Sequence, residues 1–353
     1  MNKSVWKAEE WSHLGYNLTA TWLFSCFILG TTLNIICLVI LFKIKSISTN
    51  MNPFFISLSG ADLAVSVLAT PFSFISTVSR EWLFGESGCT WYGFISYFAG
   101  LTQITTIAGI SFERYLTVVK PFNIATSNSR RTGVIIGFCW LYSLIMSLLP
   151  VLGWNRYVPE ATKTWCSIDF LTNNKTAKSY IIFMFTSTLI LPFTIIIFSY
   201  FCLLRRVRKQ ARQTSATLGK GTTAVLEKRL ILMISTMVIC FVAAWTPYAV
   251  VVLMGTFKYR HLIEGNITAQ TLPSLFAKLS NCYNPLIYLG LNKQFQEALI
   301  NLFRIPETSS FLSRLGTPSR REQGKSSRAG DESMELRSKR DDPSTSHHLQ
   351  PSK

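Results

Sequence analysis

Apolar residues gather along this chain into long runs, without the alternating or striped patterns of a soluble fold. Each run is near the roughly 20 residues that a helix needs to cross the hydrocarbon core of a bilayer. They predict spanning helices at about 21–43, 52–78, 88–119, 132–152, 179–203, 229–254 and 270–291. The first, fourth, fifth and sixth runs are almost purely apolar. The second, third and seventh carry scattered polar residues, which lipid penalises unless they face the interior of a bundle. A simple anchor needs no such seam. The pattern therefore predicts an all-α membrane protein, a seven-transmembrane-helix bundle with a polar interior. Around it lie an outer N-terminal tail (1–20) and a C-terminal tail (304–353) rich in Ser, Thr and charged residues, which is expected to be disordered. The bundle (21–303) is expected to end in a short amphipathic eighth helix.

Composition agrees, with 48% hydrophobic residues and only 15% charged ones in 353, too little charge for a soluble domain of this length. The net charge of +17 matters through its placement. Lys43, Lys45, Lys120, Arg130 and Arg131 fall in the first and second inner connections. Arg205, Arg206, Arg208, Lys209, Arg212, Lys220, Lys228 and Arg229 form a dense block in the third. This bias puts the N-terminus outside and the C-terminus in the cytoplasm. Basic blocks set between hydrophobic spans face lipid headgroups and cytosolic proteins, so no nucleic-acid partner is expected. The glycosylation sequons at Asn2, Asn17, Asn174 and Asn266 all fall in segments that the charge rule places outside. The first 20 residues are polar and mixed in charge, so the first span itself is expected to direct insertion. Of the eight cysteines, six lie inside predicted helices, where Cys is usually a small buried hydrophobe. Cys89 and Cys166 face the oxidising side, and a disulfide between them would pin the second outer loop over the mouth of the bundle.

The order of polar and proline residues narrows the class. Asn34 lies in the first span, Asp62 in the second and Trp140 in the fourth; the third ends in Glu113-Arg114-Tyr115. Pro192 and Tyr200 lie in the fifth, Trp245-Thr246-Pro247-Tyr248 in the sixth, and Asn284-Pro285-Leu286-Ile287-Tyr288 in the seventh. Jointly, over about residues 20–303, this set resembles the rhodopsin-like G-protein-coupled receptors. Each motif also has a physical reading. Pro192, Pro247 and Pro285 each remove a backbone hydrogen bond and permit a kink. Asp62, Asn34 and Asn284 are buried polar groups that need partners or water, whether as packing glue or as part of a switch. Arg114 has a neighbour in Glu113 and a candidate cross-helix partner in Glu227. A surface pair of that kind is worth about 0–1 kcal/mol, suited to a latch whose rupture lets the sixth helix swing out.

Lys278 points to the chemistry. It lies near the middle of the seventh span, too far from either end to snorkel, and no mid-membrane acid is evident to pair with it. Pro285, two helical turns further, shares its face and directs Lys278 inward. Buried lysines suit Schiff-base chemistry because burial lowers the amine pKa. Lys278 precedes Asn284 by six residues, the spacing found in opsins. The resemblance to opsins implies retinal, 11-cis or all-trans, bound covalently to Lys278, with Trp245 and Tyr248 lining the polyene. A protonated Schiff base needs a counterion. The third span offers Tyr92 where vertebrate visual pigments carry a glutamate. Asp169 pairs with Arg156 in the family pattern, which leaves Glu160 as the expected counterion. That arrangement resembles bistable opsins. Glu81-Trp82-Leu83-Phe84-Gly85, Trp91-Tyr92-Gly93 and Val225-Leu226-Glu227 resemble the neuropsin group, and Asn292-Lys293-Gln294-Phe295 resembles ciliary opsins. Thr70 replaces the lysine that neuropsins often carry before the proline of the second span.

The resemblance implies a light-sensing receptor and no enzyme. It would couple to a heterotrimeric G protein of the inhibitory or transducin (Gi/o/t) type, with a receptor kinase and arrestin acting on tail residues such as Thr308, Ser309, Ser310, Ser344, Thr345 and Ser346. Its expected place is the plasma membrane of photoreceptive cells or neurons, as a multi-pass protein. Three other readings stand beside it. One is an opsin-fold retinal photoisomerase, against which the intact Glu113-Arg114-Tyr115 counts. Another is a receptor for a diffusible ligand. The last is a transporter or channel, which would want charged residues along a pore, and the spans show almost none.

Overall fold

The computed structural model describes residues 11–43, 51–119, 128–214, 221–257 and 259–303, with the side chains of 128, 207, 209–214, 221–228 and 303 left aside. Helices α1 (His13–Lys43), α4 (Gly85–Val119), α5 (Asn128–Leu148) and α8 (Gly221–Thr256) form the first, third, fourth and sixth spans. The second is broken into α2 (Asn52–Leu68) and α3 (Thr70–Ser79). The fifth runs from α6 (Lys175–Phe185) through a π-helical turn (Thr186–Ile190) into α7 (Leu191–Thr214). The seventh is α10 (Ile267–Lys278) followed by α11 (Ser280–Leu291), with the short α9 (Arg260–Ile263) before it. Among the described residues, six spans are long and apolar enough to cross a membrane by length and composition alone. The seventh span escapes it because it breaks at Leu279. The third span is the central strut, 78% buried against 22% for the fourth and fifth.

The breaks have causes, and each break is repaired from a neighbouring span. Pro285 cannot donate to the carbonyl of Asn281, and Asn34 Nδ2 of the first span donates to it instead at 2.9 Å. At Leu279 the backbone tightens to an i→i−3 bond onto Phe276. That leaves the carbonyl of Leu275, to which Trp22 Nε1 donates at 3.2 Å. In the fifth span the Leu191 N–H is spent on Thr186 and Pro192 has none, so the Ser187 carbonyl accepts from the Tyr142 hydroxyl at 2.6 Å. Just after Pro71 the N–H of Phe72 turns to Ala69, and Trp91 Nε1 donates to the exposed carbonyl of Leu68 at 3.3 Å.

The second outer loop forms a hairpin, β1 (Tyr157–Pro159) antiparallel to β2 (Cys166–Ile168), with Pro159 opposite Cys166. The Cys89–Cys166 disulfide ties it to the outer end of α4. Gly93 makes the close seating possible, because a Cβ there would fall 2.3 Å from the Tyr157 ring. Asp169 anchors the outgoing strand. Its carboxylate accepts from Arg156 Nε at 2.9 Å and from the Thr172 hydroxyl and N–H at 2.7 and 2.9 Å. Burial pushes the Asp169 carboxyl up, but the Thr172 donors and the Arg156 guanidinium outweigh it and hold it below its ordinary value. At the inner end α12 (Lys293–Phe303) buries Phe295 and Ala298 and exposes Lys293 and Glu297, an amphipathic eighth helix.

Some expected boundaries move. The first span begins at His13 and not near 21, so Asn17 lies on a helix and not in a free tail. Asn174 and Asn266 are exposed and cap α6 and α10, each through its Oδ1. Asn2 and the tail 304–353 lie outside the described residues.

Three outcomes follow. Cys89→Ser or Cys166→Ser should sharply lower surface expression, since a disulfide closing a long loop stabilises by about 2–4 kcal/mol; normal yield from both variants would contradict the bond. Trp22→Phe should lower thermal stability by about 0.5–2 kcal/mol by orphaning the Leu275 carbonyl, whereas an unchanged melting curve would mean that water or a neighbour replaces it. Asp169 has a depressed folded value, so its contribution is present at neutral pH and lost as pH falls through that value. Asp169→Asn should therefore lower Tm at pH 7, and the gap to wild type should close in acid below about pH 4. A gap that persists there would rule out the carboxylate as its source.

Candidate functional site

Beneath the hairpin the spans enclose a cavity of about 180 Å3 with a mostly apolar lining. Lys278 and Tyr92 stand on its wall together with Glu160 from the loop, and Phe241, Trp245 and Tyr248 from α8. The break at Leu279 directly follows Lys278, so the lysine sits at the last turn of α10 and not on a continuous helix. Its Nζ donates to the Tyr92 hydroxyl at 2.7 Å. The same nitrogen lies 5.2 Å above the ring of Trp165, a loop residue only 1% exposed. Glu160 does not touch the amine: among the described residues no ion pair joins the two. Its Oε2 accepts from Trp165 Nε1 at 2.6 Å and its Oε1 from the Tyr248 hydroxyl at 3.0 Å. Trp165 was not among the residues singled out from the sequence, and its only signal there is its place beside Cys166.

At the inner end of the cavity the Trp245 ring leans on the third span, where a Cβ at Gly100 would fall 2.9 Å from it. One layer further in, Asp62 is fully buried and accepts from Asn284 Nδ2 at 2.9 Å and from Gln103. Gln103 also donates to Asn281 Oδ1 at 3.0 Å, and Asn34 reaches the Asn281 carbonyl. The polar residues that the sequence grouped thus form one cluster joining the first, second, third and seventh spans. Gln103 and Asn281 complete it, and a glutamine in the middle of a span was itself a legible signal. Tyr288 is fully buried between Phe55 (ring centroids 4.7 Å apart) and Phe295 (5.9 Å), packing the Asn284–Pro285 helix onto α2 and α12.

At the cytoplasmic triplet the third span meets the fourth. Glu113 is fully buried, and its carboxylate takes two bonds from Arg131 of the fourth span, at 2.8 and 2.5 Å, and one from Thr117 at 3.2 Å. This cross-helix pair forms because the forked Arg131 guanidinium can meet both oxygens of the carboxylate. Tyr115 packs edge-on against Phe198 of α7 at 5.3 Å. Arg114 is buried beside them, and the Glu227 side chain lies outside the described residues.

Residues 33–288 match the family described as 7 transmembrane receptor (rhodopsin family). The chain is 31% identical to the rhodopsin of Sminthopsis crassicaudata, over 85% of this chain and 87% of that protein. It is 32% identical to the melanopsin of Mus musculus, over 72% of this chain and 50% of that one; it spans about half the length of the melanopsins it matches. The crystal structure of squid rhodopsin superposes with a TM-score of 0.77 at 30% identity, covering 86% of this chain and 92% of that one. With the bundle, the loop lid and the placement of Lys278, these matches identify the chain as a member of the rhodopsin family of seven-transmembrane receptors, and within it of the opsins.

Proposed function

We propose that the protein is a light-activated receptor that carries retinal on Lys278 and signals to a heterotrimeric G protein, with the inhibitory or transducin type favoured. One observation carries the reading: an amine that contacts no acid among the described residues lines an aromatic-walled, mostly apolar cavity. Such a cation is costly in a membrane interior unless it serves function. The residues fit the group. The lining is mostly apolar, Lys278 is the only basic side chain on it among the described residues, and Gly100 keeps the Trp245 wall close. Retinal, when bound, supplies the absorption of a photon and a change of shape.

The rest is work for the chain. Lys278 provides the nitrogen, and Tyr92 orients it. Glu160 supplies the negative charge on the outer side, held there by Tyr248 and Trp165. The hairpin keeps bulk water out. Trp245, seated on Gly100 two residues before Pro247, is placed to pass a displacement of the wall to the proline of the sixth span. The Asp62 cluster and the Glu113–Arg131 pair hold the first, second, third, fourth and seventh spans together as the frame against which the inner end of the sixth would move. The exposed Arg205 and Arg208 on α7, with α12, belong to the surface offered to the G protein. The tail carries the candidate sites for kinase and arrestin. A tyrosine on the third span with a loop glutamate favours a pigment that keeps its chromophore after illumination and is reset by a second photon. The plasma membrane of photoreceptive cells or neurons is the matching location.

Lys278→Ala should abolish any retinal-dependent band that survives acid denaturation; covalent trapping of retinal by borohydride in that variant would exclude Lys278 as the attachment site. Glu160→Gln should turn a visible pigment near-ultraviolet absorbing at neutral pH, each pH unit in the titration midpoint corresponding to about 1.36 kcal/mol of lost interaction. Tyr92→Phe should do far less, because a neutral phenol supplies no charge. The reverse ranking would move the counterion role to the third span.

A further inference from the structure

Trp165 stands between the two groups that the proposed function pairs. Its ring face lies over Lys278 Nζ at 5.2 Å, and its edge donates Nε1–H to Glu160 Oε2 at 2.6 Å. It is 1% exposed and packs with Cys89, Tyr92 and Leu275, so its ring has little freedom to turn. The backbone holds both partners in register, Glu160 N–H donating to the Trp165 carbonyl at 2.9 Å across the hairpin turn. Two physical effects then act along one line. A cation over an indole face is attracted by the ring quadrupole. An N–H that donates to a carboxylate is polarised, and hydrogen bonds in series strengthen one another in a low dielectric, which makes the ring face more negative. The other titratable neighbours are few: Tyr92 bonded to the amine, Tyr248 bonded to Glu160, and the Cys26 thiol of the first span within electrostatic reach of Lys278.

We propose that Trp165 is the positioning residue that couples Glu160 to the nitrogen of Lys278, so that the positive charge there is balanced through the indole and not by direct contact with the carboxylate. This rests on the reading of Lys278 as the attachment site. Trp165 also caps the nitrogen from the outer side, between it and the hairpin surface.

The test is a double-mutant cycle read by spectroscopic titration of retinal-reconstituted protein. Trp165→Phe keeps a ring and removes the N–H. Benzothienylalanine at position 165, whose sulfur replaces the N–H in an otherwise matching bicycle, serves where phenylalanine packs poorly. In both, the pH midpoint at which the visible band gives way to the near-ultraviolet one should fall by about one unit, a tenfold change in the proton equilibrium. Glu160→Gln should then add less than half of the shift that it causes with Trp165 in place. Trp165→Leu, which also removes the cap, should speed bleaching by hydroxylamine about tenfold or more. In retinal-free protein, the ultraviolet resonance Raman band that reports indole N–H bonding should shift on Glu160→Gln, and this shift should vanish in Trp165→Phe.

Unchanged midpoints in both Trp165 variants, or the full Glu160→Gln shift on top of them, overturn the coupling, because a purely structural tryptophan would alter yield and leave the two effects additive. Wild-type protein that borohydride does not trap at Lys278 overturns the attachment reading instead, and the inference falls with it. Trapping at Lys278 with additive midpoints leaves the attachment intact and defeats the coupling alone.

Discussion

A carbonyl without a partner has nowhere to turn inside a bilayer, and this constraint shapes the bundle. Water is absent from the hydrocarbon, so a helix broken by proline or tightened to a 3-10 step must be completed by something else. Here a side chain from a neighbouring span completes it four times: Asn34 at Asn281, Trp22 at Leu275, Tyr142 at Ser187 and Trp91 at Leu68. These bonds do more than rescue the backbone. They fix which spans are neighbours and at what height, so the irregularities that make helices bendable also lock their register. The two repairs in the seventh span flank Lys278, and so the lysine sits on backbone held from the first span on both sides.

The same economy governs charge. In this cavity the amine contacts a phenol and an indole face, and the carboxylate contacts a phenol and an indole N–H. Each ion is satisfied by neutral dipoles, although they share one chamber. The arrangement depends on the hairpin, which brings Glu160 and Trp165 in from above. The hairpin depends in turn on the disulfide, on Asp169 gripping Arg156 and Thr172, and on a glycine at position 93 that lets Tyr157 approach. Loop and helix are thus one site.

Further in, the polar cluster around Asp62 and the Glu113–Arg131 pair both bind the third span to others, the first to the second and seventh, the second to the fourth. The central strut is held at these depths, and also through Tyr92, Thr105 and Thr106, by polar contacts set among apolar side chains. Discrete contacts of this kind, unlike a continuous apolar interface, have two distinguishable arrangements, made and broken. That suits a molecule required to rest in one state and be driven to another.

Much of this was legible in the residues themselves. The seven spans, their orientation, the inward lysine and the cysteine pair follow from hydropathy, charge and spacing, because lipid leaves few alternatives for an apolar run or a buried charge. The breaks at Ala69 and Leu279 and the early start at His13 did not follow, since hydropathy measures transfer to lipid and is blind to which carbonyls a neighbour will satisfy. Nor did the partners of the charged groups. The sequence offered Arg114 both Glu113 and Glu227, named no partner for Arg131, and set Glu160 against Lys278 only through the resemblance to opsins. Packing gave Glu113 to Arg131, and placed Trp165 between Glu160 and Lys278. Which residues must be inside is a property of each side chain and its solvent. Which two of them meet depends on the height and rotation of whole helices, and only the assembled bundle decides that.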